Sequence, residues 1–174
     1  MAAYPQEWER HFALPDGTAI FVRPIRPEDE SLYPHFVAAV STEDARLRFL
    51  GPMRELSPAL LARFTHIDYA RVMAFVALDE RTGEMLGVAR LHAVADDTNS
   101  GEYAIIVRSD LQRHGLGWRL MQLIIDYARA GKYRTVQGRV LHENTHMLDM
   151  CKQLGFRLAM DPQEPAVTIV TLAL

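Results

Sequence analysis

Apolar and polar positions along this chain change period several times, and each change marks a predicted element. From Thr18 to Ile25 they alternate, the two-residue period of a half-buried strand. Ahead of it Asp16-Gly17 is a turn signal, and residues 1–17, with Pro5 and Pro15 bracketing Trp8 and Phe12, read as an N-terminal lead-in. Pro27-Glu28-Asp29 opens a helix to about Val40, with proline early and acids in the first turn. Ser57 supplies an N-cap for a second helix from Pro58 through Phe64.

Three strand-like runs follow, Val72–Leu78, Leu86–Val94 and Glu102–Arg108. Arg81-Thr82-Gly83 turns between the first two, and Asp96–Asn99 reads as a loop before the third. Helical spacing returns at Leu120, Met121, Ile124, Ile125 and Ala128, predicting a helix from Gly115 to Ala130 that Gly131 ends. Thr135–Leu141 is again strand-like. Asn144 then caps a short helix with Met147, Leu148, Cys151 and Leu154 on one side and Gly155 at its end. Phe156–Ala159 and Ala166–Leu174 close the chain as strands. The order is βαα-βββ-α-β-α-ββ, one α/β domain over residues 18–174.

Composition narrows the function classes. At 174 residues, 49% apolar and 24% charged, the chain has the balance of an ordinary globule with a substantial core. A net charge of -3 offers no attraction for nucleic acid, and the scattered aromatics build no base-stacking surface. Of 19 basic residues only Lys132 and Lys152 are lysines. Cys151 is the single cysteine, which excludes an internal disulfide and fits a reducing compartment. No run approaches ~20 apolar residues and no export signal leads the chain, so the expectation is a cytoplasmic protein without a membrane partner.

The most informative chemistry lies where the third strand of the meander meets the long helix. Gln112-Arg-His-Gly-Leu-Gly117 forms a glycine-bearing turn that becomes the first turn of that helix. A helix start exposes unpaired N–H groups and partial positive charge, a seat for phosphate oxygens. Gly115 and Gly117 lack the side chains that would keep a diphosphate from the main chain.

The element order, this Q-x-x-G-x-G turn after the middle strand, and Asn144 with Leu154-Gly155-Phe156 downstream resemble the GNAT superfamily of acyl-CoA-dependent N-acyltransferases. The resemblance covers about Thr18 to Leu174. Arg23-Pro-Ile-Arg-Pro-Glu-Asp29, Leu47-Arg-Phe-Leu-Gly51, Asp68-Tyr69 and Met147-Leu-Asp-Met-Cys151 look most like bacterial protein lysine acetyltransferases of the Pat type. Those often carry the domain behind an acyl-CoA-synthetase-like region, so this chain reads as a free-standing relative or an excised domain, with such a synthetase as a candidate partner. The resemblance implies a mixed, mostly antiparallel sheet of about seven strands flanked by about four helices.

Its chemical implications are specific. Acetyl-CoA is the implied co-substrate, with pantetheine along Ile105, Ile106 and Val107 like an added strand. The N–H of about Ile106 would polarise the acyl carbonyl. The amides of Arg113, His114, Gly115, Leu116, Gly117 and Trp118, after Gln112, would hold the pyrophosphate, with Arg113 adding charge. Glu102 falls where Pat-like enzymes place a catalytic glutamate. An amine with an ordinary pKa near ~10.4 must lose a proton to attack, so Glu102 is the general-base candidate. Cys151 stands where many GNAT enzymes carry a tyrosine that protonates the leaving thiolate; it is a candidate acid, or simple packing, and not a covalent nucleophile. Asn144 caps its helix and, by the same resemblance, touches the pantetheine arm. The acceptor groove falls between the early helices and the final strands, with Arg48, His66 and Asp68 as candidates.

His142-Glu-Asn-Thr-His146 matches the H-E-x-x-H zinc signature. Zinc would require both histidines one turn apart on a continuous helix. The run before His142 is strand-like and the helix begins at Asn144, which leaves His142 outside it; the best third ligand, Glu164, sits between Pro162 and Pro165. No metal is therefore expected. His11, His35, His66 and His92 show no ligand spacing, His114 sits within the glycine turn, and Trp8 and Trp118 read as packing residues. The expected activity is acetyl transfer from acetyl-CoA to a protein lysine Nε by direct attack. A small-molecule amine acceptor and a non-catalytic acetyl-CoA-sensing domain stand as alternatives, with a zinc hydrolase through His142 and His146 the weakest.

Overall fold

Long apolar runs separated by tight turns build one sheet. The computed structural model describes residues 2–49, 57–112 and 114–174. Its strands are β1 (Arg10–Ala13), β2 (Ala19–Pro24), β3 (Val72–Asp79), β4 (Met85–Val94), β5 (Asp97–Val107), β6 (Thr135–Leu141), β7 (Arg157–Met160) and β8 (Val167–Ala173). Their spatial order is β1-β2-β3-β4-β5-β6-β8-β7. Every neighbouring pair is antiparallel except β5 and β6, which run parallel. A parallel pair needs a crossover, and α4 (Leu116–Ala130) supplies it. The remaining α-helices among the described residues are α1 (Tyr33–Ala38), α2 (Thr42–Phe49), α3 (Pro58–Thr65) and α5 (Thr145–Gln153). No helix among the described residues is long and apolar enough to cross a membrane.

Both faces of the sheet are covered, so its middle strands lose the alternation of a solvent-facing sheet. Met73 to Ala77 of β3 are all buried. On one face Leu116, Leu120, Met121, Ile124 and Ala128 of α4, each fully buried, pack against Phe75, Ala89, Leu91 and Tyr103. On the other, Tyr33 and Phe36 of α1 join Ile25, Ala74, Val76 and Val88, with Leu61 and Phe64 of α3 beside them. Each fully buried aliphatic contributes about 1.5–3 kcal/mol relative to exposure, so α4 is held firmly and its first turn is fixed in place.

Several expectations change in detail. Residues 10–13, read as lead-in, are the edge strand β1 on β2, and Trp8 packs edge-on against Tyr127 of α4. The segment 27–40 divides into a 3-10 turn over Pro27–Leu32 and the short α1. α2 escaped the periodicity argument because Thr42-Glu-Asp-Ala-Arg-Leu-Arg-Phe is mostly polar and fully buries only Ala45. The loop at Asp96–Asn99 is tighter than expected, since β5 begins at Asp97 opposite Val94.

Gly138 of β6 is a close-approach glycine. A Cβ there would lie 2.3 Å from the Tyr103 ring. Gly138→Ala should cost about 1–3 kcal/mol through overpacking. Chemical denaturation should show the double variant Gly138→Ala/Tyr103→Leu losing less than the sum of the two singles.

Candidate active site

A fork in the sheet forms the site. β5 and β6 are in register only over Ser100↔Thr135, Gly101↔Val136 and Glu102↔Gln137. Beyond that point β6 stays paired with β8 through Leu141, while β5 stays paired with β4 through Val107. The β6-facing edge of β5 from Tyr103 to Val107 is thus left without a strand partner. A groove of about 990 Å³ lies along it, lined by this edge, by Arg139 and Val140 of β6, by Glu143 to Met147, and by Gly115, Gly117 and Trp118.

The register decides which main-chain groups face the groove. Arg108 N–H donates to Leu86 O at 2.9 Å, which marks this pair as a hydrogen-bonded position of the β4–β5 ladder. In an antiparallel ladder such pairs alternate, so Ile106 with Val88 and Ala104 with Arg90 are also bonded toward β4. Ile105 and Val107 therefore turn their N–H groups to the open side. The acyl-polarising donor expected at about Ile106 is corrected accordingly: its own N–H is committed to β4. Gln112 lines the groove, and its Nε2 donates to Val107 O at 3.0 Å, which closes the end of β5.

The groove ends on the start of α4. Gly115 precedes the helix with φ +92°, a left-handed conformation that favours glycine. Arg119 N–H is the first to bond back into the helix, to Gly115 O at 3.1 Å. Gly115 has no side chain to cap the preceding amides, so those of Leu116, Gly117 and Trp118 project from the positive end of the dipole. A Cβ on Gly115 would meet nothing within 4 Å, and on Gly117 only Val107 Cγ2 at 4.0 Å. His114 is exposed nearby. Arg113, expected to add charge, lies outside the described residues.

Glu102 stands at the apex of the fork, the last β5 residue in register with β6. Its carboxylate is 29% exposed and lies 3.6 Å from His92 Nε2 across the β4–β5 ladder. No ligand spacing marks His92 in the sequence; the β4–β5 register makes it the neighbour of Glu102. Arg48 of α2 also lines the groove and feels the charge of Glu102. Its Arg46 neighbour reaches over to Glu143, at 2.7 Å, and so ties α2 to the segment ahead of α5. His66 and Asp68 do not reach the groove: His66 pairs with Glu30 at 3.2 Å, and Asp68 accepts from Ala70 N–H at 3.1 Å.

Cys151 sits elsewhere than a groove acid requires. It is fully buried in α5, 3.3 Å from the Tyr103 hydroxyl, and it does not line the groove. Burial pushes its thiol above the usual range, and burial first, then the adjacent thiol, pushes the Tyr103 phenol up as well. Asn144 does cap α5, its Oδ1 accepting from Met147 N–H at 3.2 Å, and it faces the groove. α5 begins only at Thr145, while His142 N–H still bonds Ala166 O as an extension of β6. The histidines of H-E-x-x-H thus share no helix, and Glu164 pairs with Arg139 at 3.0 Å. No cluster of three metal-binding side chains occurs among the described residues.

An α/β sheet forked at one parallel pair, with an open strand edge running to an uncapped helix start, defines an acetyltransferase of GNAT architecture. A family model described as the acetyltransferase (GNAT) family matches residues 40–156, and the chain belongs to that family. It is 37% identical to an acetyltransferase of Pseudomonas aeruginosa over 93% of this chain and 88% of that one. The acetyltransferase Pat of Mycolicibacterium smegmatis is 27% identical over 80% of the chain, which spans only 41% of that protein. The crystal structure of the GNAT domain of S. lividans Pat superposes with a TM-score of 0.90 at 28% identity, covering 99% of this chain and all of that one.

Proposed function

We propose that the protein transfers acetyl from acetyl-CoA to a lysine Nε of a protein, in a ternary complex with Glu102 as general base. The observation that carries this reading is the open β5 edge with Glu102 at its apex and the α4 amides at its far end. Pantetheine would add to that edge through the Ile105 and Val107 amides, and either amide is placed to polarise a thioester carbonyl. The amides of Gly115 to Trp118 would take the pyrophosphate. Asn144 would meet the pantetheine arm from the β6 side of the groove. The amine enters from the α2 side, where Glu102 accepts its proton and His92 stands beside the carboxylate. Cys151 takes no acid role in this reading, because its thiol is fully buried against the Tyr103 hydroxyl and does not line the groove. Water protonates the thiolate in this reading.

Likeness to the Pat domains over nearly the whole chain supports the lysine acceptor. A direct test is mass spectrometry of lysates incubated with isotopically labelled acetyl-CoA, with and without the protein. New labelled acetyl-lysines that depend on the protein support the reading. Labelled small amines alone would move the assignment to a small-molecule acceptor. Acetyl-CoA binding without acceptor-dependent thiol release would instead indicate a sensing domain.

The diphosphate seat has its own test. Gly117→Asp places a carboxylate where phosphate oxygens are proposed. Acid in a first helical turn favours the helix, so the fold should keep its melting temperature. Calorimetry should show coenzyme A binding weakened by about tenfold or more, the scale of 1.4 kcal/mol. Unchanged affinity would move the diphosphate elsewhere.

A further inference from the structure

We propose that His92 is the exit for the proton that Glu102 collects, a positioning residue that works through the base and does not touch the amine. The inference rests on the acetyl-transfer reading above and adds a further residue to that reaction. A lysine enters as an ammonium and leaves as an amide, so each turnover strips two protons from its nitrogen. One is balanced by protonation of the leaving thiolate through water. The other must pass from Glu102 to bulk water before the carboxylate can serve again. The base therefore needs, once per cycle, a neighbour that can take a proton from it.

Among the described residues around Glu102, His92 is the one with that chemistry. The two are register partners across the β4–β5 ladder, which puts their side chains on one face of the sheet, and His92 Nε2 lies 3.6 Å from Glu102 Oε2. A small side-chain rotation closes that gap to a hydrogen bond. On the other flank the register partner is Gln137 of β6, and along β5 Ser100 and Ala104 share the face. Arg48 of α2 is near enough to feel the carboxylate's charge, and Arg90, two places along β4 from His92, donates to Tyr33 Oη at 3.1 Å and to Phe64 O. An amide, a hydroxyl and two guanidiniums are poor acceptors of a proton from a carboxylic acid, whereas an imidazole takes one up and releases it near neutral pH.

Exposure separates the two members of the pair. Glu102 lines the groove and is 29% exposed, so bound substrates would cover it from that side. His92 is 50% exposed and does not line the groove, so it keeps its contact with water while the groove is full. In the proposed sequence an ammonium N–H bond breaks and an O–H bond forms on Glu102. That O–H bond then breaks as an N–H bond forms at Nε2 of His92. The imidazolium gives a proton to bulk water, and both residues return to their starting state.

Thiol-release kinetics at one neutral pH provide the test. His92→Ala should lower kcat about tenfold, less than loss of the base itself, with the KM of acetyl-CoA and the melting temperature unchanged. Free imidazole added in rising concentration should restore most of the lost rate to His92→Ala and leave the wild type as it was. His92→Gln, polar but without a titrating nitrogen, should be as slow as the alanine variant. In a Glu102→Gln background His92→Ala should cost no further rate, because a residue that acts through the base then has nothing to act on. A wild-type kcat in His92→Ala would overturn the proposal, as would a slowed variant that imidazole does not rescue, or losses that multiply in the double variant. Each of those results leaves acetyl transfer with Glu102 as base standing. Full activity in Glu102→Gln, or no turnover by the wild type on any acceptor, would remove that reading and the exit together.

Discussion

Replacing Glu102 by glutamine should lower kcat for acetyl transfer by about 100- to 10,000-fold, the range contributed by a positioned general base. Glutamine keeps the size of the side chain and its place beside His92, so neither the fork nor coenzyme A binding should change. What disappears is the acceptor for the ammonium proton. A lysine amine with an ordinary pKa near ~10.4 is almost wholly protonated at neutral pH, and protonated nitrogen has no lone pair for the thioester. Hydroxide can replace the missing carboxylate, so the variant should regain rate steeply as pH rises and approach the wild type near pH ~10. Stopped-flow or thiol-release kinetics across that range would check this. A kcat that is unchanged at neutral pH would remove Glu102 from the chemistry, and a parallel loss of acetyl-CoA affinity would make it a structural residue. His92→Ala should have a smaller effect, because the imidazole contacts the base and not the amine.

How much of this was legible beforehand follows from which signals are local. The strands from Val72 to Val107 and the helix from Leu116 announce themselves because covering both faces of the sheet demands long apolar runs and a clear helical stripe. The glycine turn and Asn144 cap are equally local, since each depends on residues within a few positions. α2 and β1 were not legible. The first is polar almost throughout, and the second is four residues long with only Phe12 turned toward the core. The site's finer geometry belongs to register, which no short pattern encodes. Shifting β5 by one residue against β4 would exchange the groove-facing amides and part His92 from Glu102. Ile106 and Cys151 show this: residue type and spacing place them near the fork, but strand register and helix face decide which way they point.

The buried pair at the head of the Arg-Pro-Ile-Arg-Pro-Glu-Asp motif carries the largest expected loss of stability. Asp29, 2% exposed, accepts from Arg23 at 2.7 and 2.8 Å and from Arg26 N–H at 2.7 Å. Arg23, on β2, is 8% exposed and, among the described residues, gains only Pro24 O at 3.2 Å besides. Asp29→Ala would therefore strand a buried guanidinium and free the turn that launches α1, at a cost of about 3–5 kcal/mol. Set against a typical total of about 5–15 kcal/mol, that is a large fraction of the fold's stability. At about 2–4 °C per kcal/mol for a chain of this length, melting should fall by roughly 6–20 °C. The cost arises from the uncompensated charge, so the apolar double variant Arg23→Met/Asp29→Leu should melt well above Asp29→Ala despite losing the whole pair. Equal melting of the two would show that the pair's hydrogen bonds, and not the stranded cation, hold the turn. Because α1 packs Tyr33 and Phe36 on one face of the sheet while α4, with its amides, packs on the other, the damage should be lopsided. Asp29→Ala assayed below its melting point should raise acceptor KM more than the KM of acetyl-CoA.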